Sequence, residues 1–326
     1  MGNQKRLTTL HPMLFILPPL LVYFFASFLF ELSVDPANPI IPKILKVVKI
    51  EAAADLKYAL IELKARYLWL SSALLNTVIP ISAIIFSIAT IRSYVKGSKL
   101  VWTVIIVSLL CIGNLSYLLY SAKIRNALYN LIYGFTYDML TESTLFSRVF
   151  LWRVYEIISS VNILAAITPM FLLLAISGTL GPVPLHEDPF HLALRLKRLK
   201  ELVNVASLFL VFGMLHMNMW LSWSASLVKD LALKSELSNV AWSISAYWGV
   251  AFTVVLAVTY VPTTIYLQNR AREHLCEGEL SMGIKEAEQW LNDHGFSFTL
   301  NNQIFQCISI LAPFLAAPVG GALKLL

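Results

Sequence analysis

The sequence predicts an all-α protein, a polytopic transmembrane helical bundle, and three observations lead there. Of its 326 residues, 58% are hydrophobic and only 13% are charged, whereas soluble domains run to about 45–50% apolar and about 25% charged. The mean hydropathy is +0.70. Apolar stretches long enough to cross about 30 Å of hydrocarbon recur along the chain, without the in-out alternation of a membrane barrel. Six spans are expected, near residues 12–30, 67–91, 101–120, 157–177, 203–223 and 241–267, with a possible seventh at 304–326. One membrane domain then absorbs the whole chain.

The first span follows Lys5 and Arg6. It is long and lacks a small-x-small cleavage site before Asp35, so it reads as an uncleaved anchor. After it, "DPANPIIP" is a stretch no helix runs through. Beyond that, Ile44, Val48, Leu56, Leu60 and Leu63 recur near helical spacing with lysines between them. This pattern predicts an amphipathic helix on the membrane surface, or an outward extension of the second span. The fourth span is preceded by "LWRVYE". Residues 157–177 already suffice to cross, so Arg153 and Glu156 are expected at the water-side edge beside Trp152. There an arginine keeps its guanidinium wet, and the two can pair across one turn.

Before the fifth span, "HLALRLKRLKE" puts Leu192, Leu196 and Leu199 on one face and Arg195, Arg198 and Lys200 largely away from it. Basic amphipathic helices suit anionic lipid headgroups; the alternative is a plain extension of the span. Residues 268–300 read as a small inner-side helical cap, with a stripe of Ile284, Ala287 and Leu291 and with Gly295 placed to end the helix. The last hydrophobic segment carries Pro313, Pro318, Gly320 and Gly321, which predict a broken helix, a kinked seventh crossing or a re-entrant arm. A break facing lipid is costly, so protein or water should cover it.

Tryptophans favour the interface between headgroups and hydrocarbon. In an up-and-down path Trp69, Trp152, Trp220, Trp223, Trp242 and Trp248 fall on one side and Trp102 on the other. Lysine and arginine favour a cytoplasmic N-terminus once the charge-rich 40–66 segment is set aside, which fits a plasma or inner membrane.

Function is less legible. Asn76, Asn114, Ser159 and Asn162 lie within spans and are candidates for a polar pore lining, with Arg153 and Glu156 as its outer mouth. The alternative for buried amides and hydroxyls is adhesion between helices. "GMLHMNMW" offers His216 and Met217 with two further methionines. Thioethers and imidazole suit Cu(I), but a single helix cannot aim all four at one ion. The three cysteines, Cys111, Cys276 and Cys307, form no disulfide or zinc pattern. No P-loop, GxGxxG, HExxH or GxSxG motif occurs, so neither enzymatic activity nor a cofactor is expected. The net charge of +6 suits anionic lipid; no domain-sized basic face points to nucleic acid. Three classes remain, in this order. The first is an oligomeric channel or pore-forming membrane effector. The second is a non-transporting sensor or anchoring subunit with a partner subunit. The third is a membrane-embedded metal carrier or enzyme around His216.

Overall fold

The computed structural model describes residues 12–33, 56–143, 145–181, 189–277, 282–296 and 300–322. Lys5, Arg6, the proline-rich stop and the surface-helix positions Ile44 and Val48 lie outside them. A 3-10 turn (Pro12–Ile16) leads into α1 (Leu17–Glu31). Then follow α2 (Leu56–Tyr94), α3 (Ser98–Ile124) and α4 (Ala127–Tyr129), which runs through a π turn (Asn130–Gly134) into α5 (Phe135–Glu142). The chain continues through α6 (Arg148–Thr179), α7 (Pro189–Ser226), α8 (Leu231–Glu277), α9 (Ile284–Asp293) and α10 (Leu300–Ala322). No strand occurs among the described residues.

Six of these helices, α1, α2, α3, α6, α7 and α8, are long and apolar enough to cross a membrane. The protein is therefore a multi-pass integral membrane protein. Each of the first six expected spans lies within one helix but for its opening residues at 12–16, yet most of the helices run well past the span. The 39 residues of α2 rise about 58 Å at 1.5 Å each, nearly twice the hydrocarbon thickness. Charge marks the buried part: α2 carries none between Arg66 and Arg92, and α7 none between Glu201 and Lys229. Ionised groups at bilayer depth are costly, so these limits set where each helix leaves the lipid. The described part of the predicted surface helix is accordingly the first turns of α2.

Successive crossings run antiparallel, so the bundle has two ends: a near end, where α1 starts, and a far end, where it finishes. α7 lies at the centre, packed on α2, α6, α8 and α10. α3 lies at the edge and leans on α6; Trp102, Leu109, Ile112 and Leu119 are exposed, as befits a lipid-facing helix. At the near end the predicted Leu192, Leu196 and Leu199 stripe is wholly buried. It packs with Leu267, Ala271 and Leu275 of α8 and with Ala287, Leu291 and Phe296 of the cap. The amphipathic segment is thus a continuation of the fifth span whose apolar face is covered by protein. Ala287 and Leu291 face inward as expected, whereas Ile284 at the first turn of α9 is 71% exposed. Gly295 ends the cap helix with φ +75, a left-handed conformation natural to glycine.

α10 is one continuous helix through Pro313 and Pro318, not the broken segment the prolines suggest. Each proline removes the hydrogen bond to the carbonyl four residues earlier. For Pro313 that carbonyl belongs to Ser309, and the Ser207 hydroxyl of α7 donates to it at 2.5 Å. Neighbouring contacts hold the same face: Gln306 Nε2 donates to Asn204 Oδ1 at 2.6 Å, and Tyr260 Oη to Gln303 Oε1 at 2.5 Å. The expectation that protein covers the proline step is met by a specific hydroxyl.

Candidate functional site

Three places concentrate polar chemistry. The first is the outward face of α6. Arg153, Glu156 and Ser160 are exposed on one stripe, with Ser159 and Asn162 half-buried beside it. Arg153 and Glu156 make no ion pair with each other or with any described residue, so the expected pairing across one turn is not formed. The stripe begins at a groove of about 440 Å³ lined by Tyr137, Thr141, Arg148, Leu151, Trp152 and Tyr155. Of the other predicted lining residues, Asn114 is engaged between helices: its Nδ2 donates to the Ala166 carbonyl at 2.7 Å. That carbonyl is next to Ala165, whose own carbonyl loses its helical partner at Pro169 of α6. Asn76 is buried on α2, with its Oδ1 unpartnered among the described residues. The structure thus brings Ser159 and Asn162 together with Arg153 and Glu156, and sets Asn76 and Asn114 apart from them.

The second place is a buried polar and aromatic column between α2 and α7, which the sequence did not announce. Glu62 is 4% exposed. Its Oε1 accepts from Arg66 Nε and from Trp223 Nε1, both at 2.9 Å, and its Oε2 accepts from Arg66 Nη2 at 2.5 Å. The Arg66 guanidinium lies over the rings of Phe150 and Phe146, 4.9 and 5.4 Å from their centroids. A buried carboxylate is tolerated when its oxygens are filled by charged and neutral donors, and here they are. Trp69 stacks on Trp223 at 4.9 Å and meets Trp220 at 5.5 Å. Tyr133, from the π turn, stacks on Trp220 at 6.1 Å. Burial holds the Tyr133 phenol protonated well above its ordinary range. Trp69, Trp220, Trp223 and Trp248 are all buried, so the tryptophans expected in an interfacial belt do sit at one end, but four of the six line the protein interior. Only Trp152 and Trp242 of that set are exposed.

One turn deeper, Ser72 Oγ donates to the Trp69 carbonyl at 2.7 Å and lies 3.1 Å from His216 Nδ1. A hydroxyl has one hydrogen. With it committed to the carbonyl, Oγ accepts from His216, which assigns the imidazole proton to Nδ1. Nε2 then keeps a lone pair with no partner among the described residues. Asn218, two residues on, donates to Ser245 Oγ of α8 at 3.1 Å, an adhesion contact. Among the described residues no three His, Cys, Asp or Glu side chains are grouped to hold a metal ion, and Met217 is half-buried.

The third place is the near end. Arg195 Nη1 donates to the Thr179 and Gly181 carbonyls at 3.0 and 2.9 Å, closing the C-terminus of α6, and its guanidinium lies over Tyr94. Arg198 pairs with Glu201 at 2.9 Å and covers Phe86. Lys200 Nζ donates to the Gly295 carbonyl at 2.9 Å, closing α9. Cations at helix C-termini offset unpaired carbonyls and the helix dipole. Glu31 acts in the opposite sense at the far end: its carboxylate accepts from the Ala127 and Leu128 amides at 2.8 and 3.1 Å, tying α1 to the start of α4.

Sequence reasoning missed Glu62, Arg66 and Glu31. A signal existed for the first pair, a Glu and an Arg four apart with Trp69 one turn on; none existed for Trp223 as their partner. Comparison with protein families, with characterised proteins and with solved structures gives no match for this chain.

Proposed function

We propose that the protein is a channel or pore-forming subunit that acts as a homo-oligomer, with the polar stripe of α6 turned toward a shared aqueous path. The observation that carries this reading is the exposure of Arg153, Glu156 and Ser160 along one face of a membrane-crossing helix. Arg153 and Glu156 begin the stripe near the end of the helix. Further in it continues through Ser160, whose hydroxyl donates to the Glu156 carbonyl at 2.8 Å, and through half-buried Ser159 and Asn162, polar groups that favour water or another subunit over lipid. Asn76 is buried and Asn114 is engaged between two helices of a single copy, so a conducting path draws on a surface shared between copies. Arg153 and Glu156 form the charged mouth, while Ser159, Ser160 and Asn162 replace part of a permeant ion's hydration further in. Flux of a trapped ion from liposomes holding the purified oligomer tests this. The reading expects flux that Glu156→Gln changes in ion preference and Asn162→Leu reduces. An intact oligomer in silent liposomes contradicts it.

A second reading rests on the groove of Tyr137, Thr141, Arg148, Leu151, Trp152 and Tyr155. An aromatic-lined groove with one guanidinium at the bundle's end suits a non-transporting sensor or anchoring subunit. Co-purification of a second subunit that is lost on Tyr155→Ala with Arg148→Ala favours this reading over the first.

A further inference from the structure

The near end carries a second groove, of about 500 Å³, lined by Phe190, Ala193, Leu194, Leu196, Lys197, Lys200 and His294. We propose that it binds the phosphate-bearing headgroup of an anionic membrane lipid, held by Lys197, Lys200 and His294. Of the three residues first expected to meet headgroups, Arg195, Arg198 and Lys200, two are otherwise occupied: Arg195 closes α6 and Arg198 pairs with Glu201. Lys197 is exposed and has no ion-pair partner among the described residues. Lys200 spends one of its three donors on Gly295 and keeps two. His294 donates from Nδ1 to the Trp290 carbonyl at 2.8 Å, so its Nε2 donates to a phosphate oxygen only when the ring is doubly protonated. Its ring is fixed by stacking on Trp290 at 3.8 Å and by the edge of Phe190 at 5.5 Å.

Charge complementarity and depth together select the occupant. Among the described residues no carboxylate lines the groove, so the two ammonium groups set its potential, joined by His294 when its ring is doubly protonated. The charge-free part of α7 starts at Leu202. Lys200 and Lys197 lie two and five residues before it, about 3 and 7.5 Å along the axis. That is the thickness of the polar layer on one side of a bilayer, about 5–7 Å. The two ammonium groups therefore stand at phosphate level, and the exposed rim of Phe190 and Leu194 borders the non-phosphate part of the headgroup.

Native mass spectrometry of the full chain tests the proposal, with phosphatidylglycerol and phosphatidylcholine offered in equal amounts. Wild type is expected to retain phosphatidylglycerol preferentially. One lysine near a membrane surface is worth about fivefold, so Lys197→Ala should lower retention about fivefold and Lys197→Glu about 25-fold. His294→Ala should lower it further, while Lys123→Glu, an exposed cation at the far end, leaves it unchanged. Circular dichroism melting establishes that the variants stay folded. Equal retention of both lipids, or no change in folded Lys197→Glu, overturns the proposal. Displacement of the lipid by millimolar inorganic phosphate also overturns it, by identifying a site for a free anion.

Discussion

Arg66→Ala should destabilise the protein by about 3 kcal/mol, and the reason can be checked by adding a second change that reverses the loss. Removing one partner of a buried ion pair costs about 3–5 kcal/mol, because the other charge is left unpaired. Glu62 is the fully enclosed member, with 5% side-chain exposure, while Arg66 retains 28%; that difference places the cost at the lower end. Two ring contacts, to Phe146 and Phe150, add about 0.5–1 kcal/mol each at partly exposed sites. Trp223 still donates to Glu62 and offsets part of this. Glu62→Gln alone should cost only about 1 kcal/mol, the net worth of a hydrogen bond, since Arg66 can turn to water and the amide oxygen still accepts from Trp223. Placed on Arg66→Ala, however, Glu62→Gln removes the stranded charge and should restore about 1–2 kcal/mol. The assay is equilibrium unfolding in mixed micelles, followed by tryptophan fluorescence. Two results refute the reasoning: Arg66→Ala within about 0.5 kcal/mol of wild type, within the range of an ordinary exposed pair, or a Glu62→Gln change of the same sign in both backgrounds.

Other expectations concern packing and polar satisfaction. At Gly249 an added Cβ would lie 2.9 Å from the Pro313 carbonyl oxygen and 3.1 Å from Phe314 Cα, so Gly249→Ala must push α10 away from α8. Overpacking of this kind costs about 1–3 kcal/mol, and limited proteolysis should show α10 loosened. Asn114→Leu removes the donor to Ala166 and should cost about 0.6–1.7 kcal/mol, the span of interhelical hydrogen bonds in membranes, read by the same unfolding titration. Tyr133→Phe deletes a buried hydroxyl with no partner among the described residues and should be neutral or stabilising. It should also flatten the alkaline limb of stability. The folded-state pKa of Tyr133 is raised above 10, so the unfolded chain loses its proton first and stability falls as pH climbs past about 10.

Spans were readable because each one is a local property: an apolar run bounded by charge. The extensions were not, since Leu192, Leu196 and Leu199 pattern alike whether lipid or the α9 cap covers them. Gly295 was legible because a left-handed stop after a short helix needs only local chemistry. Pro313 was misleading in isolation. Its missing hydrogen bond is compensated by Ser207, more than a hundred residues away in sequence, and no local pattern announces that contact. Glu62, Arg66 and Trp223 escaped for the same reason: the pair is visible on one helix, its burial depends on another. Arg153 and Glu156 were expected at a span edge by counting residues, and the structure leaves both side chains exposed. Their i,i+3 spacing permitted an ion pair, but an exposed pair gains little.

The most direct test of the central claim is cysteine scanning of α6 from Val149 to Leu164, in a background without Cys111, Cys276 and Cys307, using a membrane-impermeant thiol reagent on sealed proteoliposomes. The account predicts labelling at 153, 156 and 160 from one side only, protection at the buried Val154, Ile158 and Val161, and loss of ion flux on labelling 160. Reaction of these stripe positions from both sides, or labelling that follows no helical period, contradicts a membrane-crossing α6 with a water-facing stripe.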